Sequence, residues 1–198
     1  LEKVDAKDTE VENPQEKLQP NMLATSALFS LYRVNREKVL SILTVKIEED
    51  FEKDEWTFIN AAILMIYAIC NRQINDEVGL LVSKHFEKII KAAEPEQVPR
   101  LRETSLFVIG LAINKYPKII FDFKDVDSRI SSIINLIIPT LQISEEEQAN
   151  LSYGNMTIFT RYADIVFNIT NSMRNSMYCN HIHQFWDNFY QITSTLFN

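Results

Sequence analysis

Glycine is scarce in this chain, and that scarcity limits the folds open to it. Only three glycines, Gly79, Gly110 and Gly154, occur among the 198 residues. Sandwiches, barrels and doubly wound sheets need many tight turns, which use backbone conformations with positive φ that glycine adopts most readily. Long helices joined by short polar links need few such positions. The sequence therefore predicts an all-α fold.

Apolar residues recur at three- and four-residue steps from Asn21 onward, the spacing of amphipathic helices. Capping residues and prolines divide this pattern into eight predicted helices, which begin near residues 21, 35, 54, 75, 99, 125, 146 and 178. The predicted N-caps are Asn35, Asp54, and Asn75 or Asp76. The β-branched run ISSIINLII favours a strand by propensity, but its isoleucines fit helical spacing, so we predict a helix that ends before Pro139.

The predicted helices pair into hairpins that begin near residues 21, 54, 99 and 146. Their spacings of 33, 45 and 47 residues centre on the ~40–47 residues of HEAT-type units. We therefore expect residues 21–198 to form an α-solenoid of about four antiparallel helical hairpins, of the HEAT or armadillo-like kind. A bundle of eight unrelated helices is the alternative.

Acidic residues are concentrated in two runs, at residues 1–16 and 46–55, and the chain has a net charge of −7. Residues 1–20 lack periodicity and contain two prolines, so we expect a flexible acidic lead-in. An acidic chain with no basic stripe is poorly suited to direct contact with nucleic-acid phosphates and better suited to basic proteins or peptides. The alternative for each run is a solvated tail or helix end.

Cysteine content and hydropathy point to the compartment. Cys70 and Cys179 are too few for a disulfide framework, which indicates a reducing environment. The apolar stretches 58–70 and 133–141 are shorter than the ~20 residues needed to span a bilayer, so we predict no membrane association. Because the sequence does not begin with Met, we expect a segment of a larger protein.

One cluster carries metal-ligand residue types: Cys179, His181 and His183. Helix residues two apart point about 200° away from each other, so these three side chains converge only with help from a loop. A polar start to the last helix explains them more simply. The chain has no nucleophile elbow and no glycine-rich phosphate loop, and its paired carboxylates fall on charged turns. We therefore predict no enzyme activity, no metal and no cofactor.

Two further groups of residues stand out by type. The last helix carries an aromatic cluster, consisting of Phe185, Trp186, Phe189, Tyr190 and Phe197. We expect this cluster to pack against the helix before it, or to form an interface with a neighbour. The isolated basic positions are Arg100, Arg102, Arg161 and Arg174. Arg102, near a helix start, is predicted to bond backbone carbonyls of the neighbouring repeat.

Three segments resemble repeats of the importin-β (karyopherin-β) superfamily. DEWTFINAAILMIYAICN, at residues 54–71, looks like an A helix in which an acidic link leads to Trp56 and a run of small and aliphatic residues. NREKVLSILTVKIEEDF, at residues 35–51, resembles the preceding B helix with its acidic end. RLRETSLFVIGLAINKYP, at residues 100–117, is similar to a later A helix closed by Tyr-Pro. Asn60 stands where the family commonly has a charged residue.

This resemblance, which covers about residues 21–141, implies part of a nuclear transport receptor. Such a protein holds cargo in a curved solenoid, responds to the small GTPase Ran and moves between cytoplasm and nucleus. B helices line the concave face in that family, which places Glu48, Glu49, Asp50 and Glu52 at a rim that basic cargo can reach. The resemblance carries over no Ran or nucleoporin site. The alternative is a HEAT-repeat scaffold of a chromosome-associated or signalling complex with no transport role.

Overall fold

A computed structural model describes residues 14–70, 75–122, 124–141, 153–173 and 185–197. Within these ranges every regular element is a helix, and nine helices occur. They are α1 (Pro14–Val34), α2 (Arg36–Phe51), α3 (Trp56–Cys70), α4 (Asp76–Ala92), α5 (Pro99–Lys115), α6 (Pro117–Ile120), α7 (Val126–Leu141), α8 (Tyr153–Met173) and α9 (Trp186–Phe197). The prediction of an all-α fold is confirmed.

Asparagine side chains begin two of the helices. The N–H of Lys38 donates to Oδ1 of Asn35 at 3.2 Å, which caps α2 as predicted. The N–H of Glu77 donates to Oδ1 of Asn75 at 3.1 Å, so Asn75 caps α4. Each carboxamide oxygen satisfies one of the backbone donors that a helix N-terminus leaves unpaired.

The start of α3 differs from the prediction by one residue. The helix begins at Trp56, and the N–H of Ile59 donates to the carbonyl of Glu55 at 3.3 Å. Glu55, rather than Asp54, therefore occupies the position before the first turn. Asp54 and Glu55 are both acidic, so the sequence alone does not determine which of them directly precedes the helix.

The other helix ends that differ from the prediction lie near prolines. Helix α1 begins at Pro14 rather than Asn21, so residues 14–20 of the expected lead-in are helical. A proline at the first helical position loses no hydrogen bond, because its N–H would be unpaired there. Pro117 ends α5 as predicted, but it also opens the short helix α6, which we did not predict. Helix α7 continues to Leu141, past Pro139.

Parts of several predictions fall outside the described residues. Residues 1–13 of the lead-in lie there, as does the predicted beginning of the helix at residues 146–152. Helix α8 begins at Tyr153, so Gly154 lies in its first turn. The proposed start of the last helix near Tyr178 also lies outside, and α9 begins at Trp186.

The helices contact one another in a regular order. In one row, α1 packs on α3, α3 on α5, and α5 on α8. A second series contains α4 against α7 and α7 against α9, and ion pairs join α2 to α4. Between the two series α2 packs on α3, α3 on α4, α4 on α5, and α8 on α9.

One connected hydrophobic core runs through the described helices. Its largest fully buried side chains come from successive helices and include Tyr32, Ile47, Ile63, Phe86, Ile109 and Tyr162. Apolar surface removed from water contributes roughly 25 cal/mol for each Å², so this shared core is the main source of stability. Helix α3 is buried or half-buried along its whole length beyond Thr57, whereas α2 and α4 each bury one face and expose the other.

Candidate functional site

The acidic run at residues 46–55 covers the last turns of α2 and the link to α3. The structure places the four predicted binding residues, Glu48, Glu49, Asp50 and Glu52, in three different environments. Their availability to a partner therefore differs from residue to residue.

Asp50 is buried, with 2% of its surface exposed. Its Oδ1 accepts hydrogen bonds from Nζ of Lys46 at 2.8 Å and from Nζ of Lys53 at 2.9 Å. Burial raises the pKa of this carboxyl, but the bonds from the two lysines outweigh burial and hold the pKa below its ordinary value. Asp50 therefore ties the end of α2 to its own link and is covered by the chain.

Glu48 and Glu52 form ion pairs with α4, which we call the charge ladder. Nζ of Lys84 donates to Oε1 of Glu48, and Nζ of Lys88 donates to Oε1 of Glu52 at 2.6 Å. Hydrogen bonds from these lysines hold the pKa of both carboxyls below the ordinary value. Both pairs join residues 36 positions apart, so α2 and α4 lie side by side in register.

Glu49 is the most available of the four carboxylates. Its side chain is 59% exposed, and its Oε2 lies 3.8 Å from Nζ of Lys46, which itself pairs more closely with Asp50. An exposed pair at this distance is weak. A basic group from a partner can therefore reach Glu49 without first displacing a strong internal contact.

Exposed aliphatic side chains lie close to Glu49. Ile42, Val45 and Leu80 have exposed fractions of 58%, 57% and 61%. The 36-residue offset of the charge ladder puts Leu80 on α4 level with Thr44, the neighbour of Val45 on α2. Ile42 and Glu49 lie within one turn of Val45 on the same side of α2. We call Ile42, Val45, Glu49 and Leu80 the α2–α4 face. Sequence analysis missed its apolar part, although these residues lie opposite the buried stripe of each helix.

A cleft of about 460 Å³ opens where the α2–α3 and α4–α5 links meet. Trp56, Lys88 and Lys91 are among its lining residues, with Phe51 and Leu101 at its base. Nζ of Lys53, also in the lining, lies 3.8 Å from the centre of the Phe58 ring, a cation–π contact. The cleft mixes acidic and basic groups, which gives it no preference for one sign of charge.

Of the predicted basic positions, two make contacts between neighbouring helices of one row. Nη2 of Arg102 donates to the hydroxyl of Tyr162 on α8 at 3.1 Å, so Arg102 reaches the next helix of the row. The Arg161 guanidinium lies 4.4 Å from the centre of the Phe107 ring and 3.5 Å from Oδ2 of Asp164. Arg100 is exposed, and Arg174 lies outside the described residues.

The basic residue that sequence analysis overlooked is Arg129, which is only 8% exposed. Nη1 donates to Oγ of Ser83 at 2.9 Å and to the carbonyl of Ile120, and Nη2 donates to the carbonyl of Ser83 at 3.2 Å. Its position between Val126 and Ile133, on the apolar side of α7, was the signal available in the sequence. Arg129 therefore makes bonds to main-chain carbonyls of the kind that we predicted for Arg102.

The aromatic cluster of the last helix divides between core and surface. Phe189 is buried and Phe185 packs against the core, while α9 contacts both α7 and α8. Packing against the preceding helix is thus confirmed. Trp186 and Tyr190 remain 59% and 69% exposed, and nothing in the described residues covers them.

Few side chains among the described residues are suited to metal binding or to nucleophilic chemistry. Cys179, His181 and His183 lie outside them, and within them no three His, Cys, Asp or Glu side chains gather as a metal site would require. Cys70 is buried, and burial raises the pKa of its thiol to about 12, which keeps the sulfur protonated and unreactive. None of the described helices combines the length and apolar character needed to cross a membrane.

Comparison with known proteins gave no match to a family model, a curated protein or a solved structure.

Proposed function

We propose that this chain is a protein-binding helical-repeat scaffold, built as a HEAT-like α-solenoid of about four antiparallel hairpins. Support comes from the order of the contacts. Alternate helices α1, α3, α5 and α8 pack in one row, and α2, α4, α7 and α9 follow in the other. In a solenoid each hairpin buries its apolar face on its neighbours and leaves an extended surface for partners.

The observation that carries the binding role is the α2–α4 face. It sets three exposed aliphatic side chains, Ile42, Val45 and Leu80, beside the exposed carboxylate of Glu49. Apolar residues next to one accessible charge favour a protein partner, because burial supplies affinity and the charge supplies orientation. A basic segment with aliphatic side chains of its own matches this surface.

Glu48, Asp50 and Glu52 have a supporting part in this proposal. Their internal lysine partners neutralise them, so their direct contribution to attracting a basic partner is smaller than that of Glu49. Reversing Glu48, Glu49 and Glu52 together to lysine would also set like charges opposite Lys84 and Lys88. A loss of binding by that triple variant would therefore mix surface charge with damage to the ladder.

Single substitutions give the clean test. We expect Glu49→Lys and Leu80→Asp each to weaken capture of basic partners from cell extract, with the helical circular-dichroism signal unchanged. Glu103→Lys is the matched control, because Glu103 is exposed on α5 in the other row. Equal capture by all three variants would remove the α2–α4 face from the proposal.

The more specific role we propose is that of a nuclear transport receptor segment, and it rests on the resemblance of residues 35–71 and 100–117. It predicts that GTP-locked Ran releases basic cargo from the protein that contains this segment. Chromatin or signalling partners that are indifferent to Ran would instead favour the scaffold without a transport role.

A further inference from the structure

His85 lies on α4 between the two lysines of the charge ladder. Its imidazole stacks on the Phe51 ring of α2, with ring centres 5.0 Å apart and planes inclined by 20°. The residue is only 5% exposed. The ring therefore fills the contact between α2 and α4, directly beneath the Glu48–Lys84 and Glu52–Lys88 pairs. We call this contact, with its ladder, the α2–α4 seam.

The Nε2 atom of His85 is buried, and no hydrogen-bond partner for it lies among the described residues. A neutral imidazole can leave one nitrogen as an unused acceptor, at a modest cost. A protonated imidazole has two N–H donors, and a buried donor without an acceptor loses its hydration with nothing in return. The geometry of the seam thus fits the neutral ring and opposes the charged one.

Charged groups near the ring come from both helices of the seam. Lys84 and Lys88 of α4 repel a proton on the imidazole, whereas Glu48 and Glu52 of α2 attract it. Each carboxylate is already paired with one of the lysines, which weakens its attraction for a proton on the imidazole.

The other helices packed on α4 add no charged group to the four that act on the pKa of His85. Between Trp56 and Cys70, α3 contains no Asp, Glu, Lys, Arg or His. Helix α7 carries Asp127 and Arg129, and α6 carries Lys118. The Arg129 guanidinium lies 5.4 Å from the centre of the Phe86 ring. The α5 helix begins with Arg100, Arg102 and Glu103, which together are basic. Burial lowers the pKa of His85, and the two lysines lower it further, with the opposing effect of the two glutamates smaller.

We propose that His85 is a pH-sensitive joint between α2 and α4. In its neutral form it packs on Phe51 and holds the two helices in register. Protonation in a mildly acidic environment places an unpaired charge inside the seam and loosens it. The face formed by Ile42, Val45, Glu49 and Leu80 spans the same two helices, so a partner bound there would be released on acidification. Only that last consequence rests on the proposed function.

The sign of the effect follows from the two protonation states. Well above pH 6.5, the ordinary pKa of histidine, His85 is neutral in both folded and unfolded chains. As the pH falls below that value, the unfolded chain binds a proton first, because the folded site resists it. The unfolding equilibrium constant then rises about tenfold for each pH unit until the folded site also titrates. Glu48 and Glu52 stay ionised throughout this window, since their pKa values lie below the ordinary value.

The first test follows the three histidines of the full chain by NMR. We expect the imidazole of His85 to titrate below about pH 6.5, the ordinary histidine value. Amides of α2 and α4 should lose hydrogen-exchange protection between about pH 7.5 and about pH 5.5, while those of α8 keep it. Titration of His85 at or above the ordinary value would overturn the proposal, and this measurement needs no variant.

The second test uses a variant that keeps the stack. His85→Phe preserves an aromatic ring on Phe51 and removes the titration, so its urea midpoint should stay constant across that pH range. The wild type and a His181→Asn/His183→Asn control should both lose stability as the pH falls. A parallel decline in wild type and His85→Phe would overturn the role of His85. If the seam responds to pH but partner binding does not, the joint stands and the proposed binding face fails.

Discussion

Two neighbouring contacts of α4 are built in opposite ways. On one side the α2–α4 seam is bridged by the charge ladder, whose lysine and glutamate side chains are 41–76% exposed. On the other side the α4–α7 contact is bridged by Arg129, which is almost fully buried and bonds Ser83 and Ile120. Charged side chains bridge both contacts, but only those of the α2–α4 seam are exposed to solvent.

This difference determines what each bridge contributes to stability. Water replaces a broken ion pair at the surface, and salt screens it, so exposed pairs contribute little. A buried guanidinium that satisfies main-chain carbonyls has no such replacement, because its loss leaves those carbonyls unpaired in a dry environment. The α4–α7 contact should therefore be the rigid one and the α2–α4 seam the adjustable one.

Removing the buried bridge should have the largest effect. Arg129→Met keeps the length of the aliphatic stem but removes all the guanidinium bonds. We expect the free energy of unfolding to fall by about 3 kcal/mol, since charge-assisted bonds to buried groups contribute most among hydrogen bonds. Urea denaturation of the full chain measures this change.

Arg100→Met is the control for losing an exposed positive charge. Arg100 is exposed on α5, and its substitution should change stability by less than about 0.5 kcal/mol. Equal losses of stability for the two arginine variants would show that burial does not determine how much a charged residue contributes, which would contradict the contrast between the two contacts.

Helix α6 approaches α4 closely at Gly79. A Cβ on Gly79 would lie 2.7 Å from Cδ1 of Ile119 and 2.9 Å from Cδ1 of Tyr116. Gly79→Ala should push α6 away and disturb the Ile120 carbonyl that Arg129 binds. Overpacking costs about 1–3 kcal/mol, and the helical preference of alanine over glycine returns about 1 kcal/mol. We expect a net loss of about 1 kcal/mol in thermal or urea unfolding.

Gly110→Ala is the matched substitution in α5, with the opposite expected sign. A Cβ there would lie 3.6 Å from Cγ1 of Ile165 and 3.7 Å from Nδ2 of Asn168, which are ordinary contacts. Alanine should then stabilise the helix by up to about 1 kcal/mol. If both substitutions destabilised the protein to the same extent, the close approach of α6 to Gly79 would not be the cause of the loss.

Most of the helices could be predicted because their signals are local. Asn35 and Asn75 cap helices through bonds that span two or three residues, and apolar spacing shows the buried face directly. The short helix α6 was missed since Pro117 reads equally well as an end and as a beginning. Asn60, which stands where the importin-β superfamily commonly has a charged residue, is buried.

The candidate site was less predictable because its charges are set by contacts between helices. The run KIEEDFEKDE contains six acidic residues. The sequence alone does not reveal that Asp50 is buried, or that Lys84 and Lys88 lie across from Glu48 and Glu52. Those pairings depend on the register of α2 against α4, which no local pattern encodes. Glu52 is exposed as well but is paired with Lys88, so of the four only Glu49 combines an exposed carboxylate with the lack of a close lysine partner.

Neutralising the charge ladder should have the smallest effect of these changes on stability. Glu48→Gln/Glu52→Gln keeps both side chains nearly the same in size and removes the ion pairs with Lys84 and Lys88. The urea midpoint should move far less than for Arg129→Met, and the wild-type midpoint should hardly respond to about 1 M salt, because exposed pairs are weak and already screened.

The double variant should nevertheless change how the seam responds to pH. Without Glu48 and Glu52, only Lys84 and Lys88 act on His85, so its protonation becomes still less favourable and NMR should show its titration moving to lower pH. A titration that moves upward would mean that the glutamates do not attract the proton. The ladder would then be a spacer between two helices rather than part of the electrostatics of the joint.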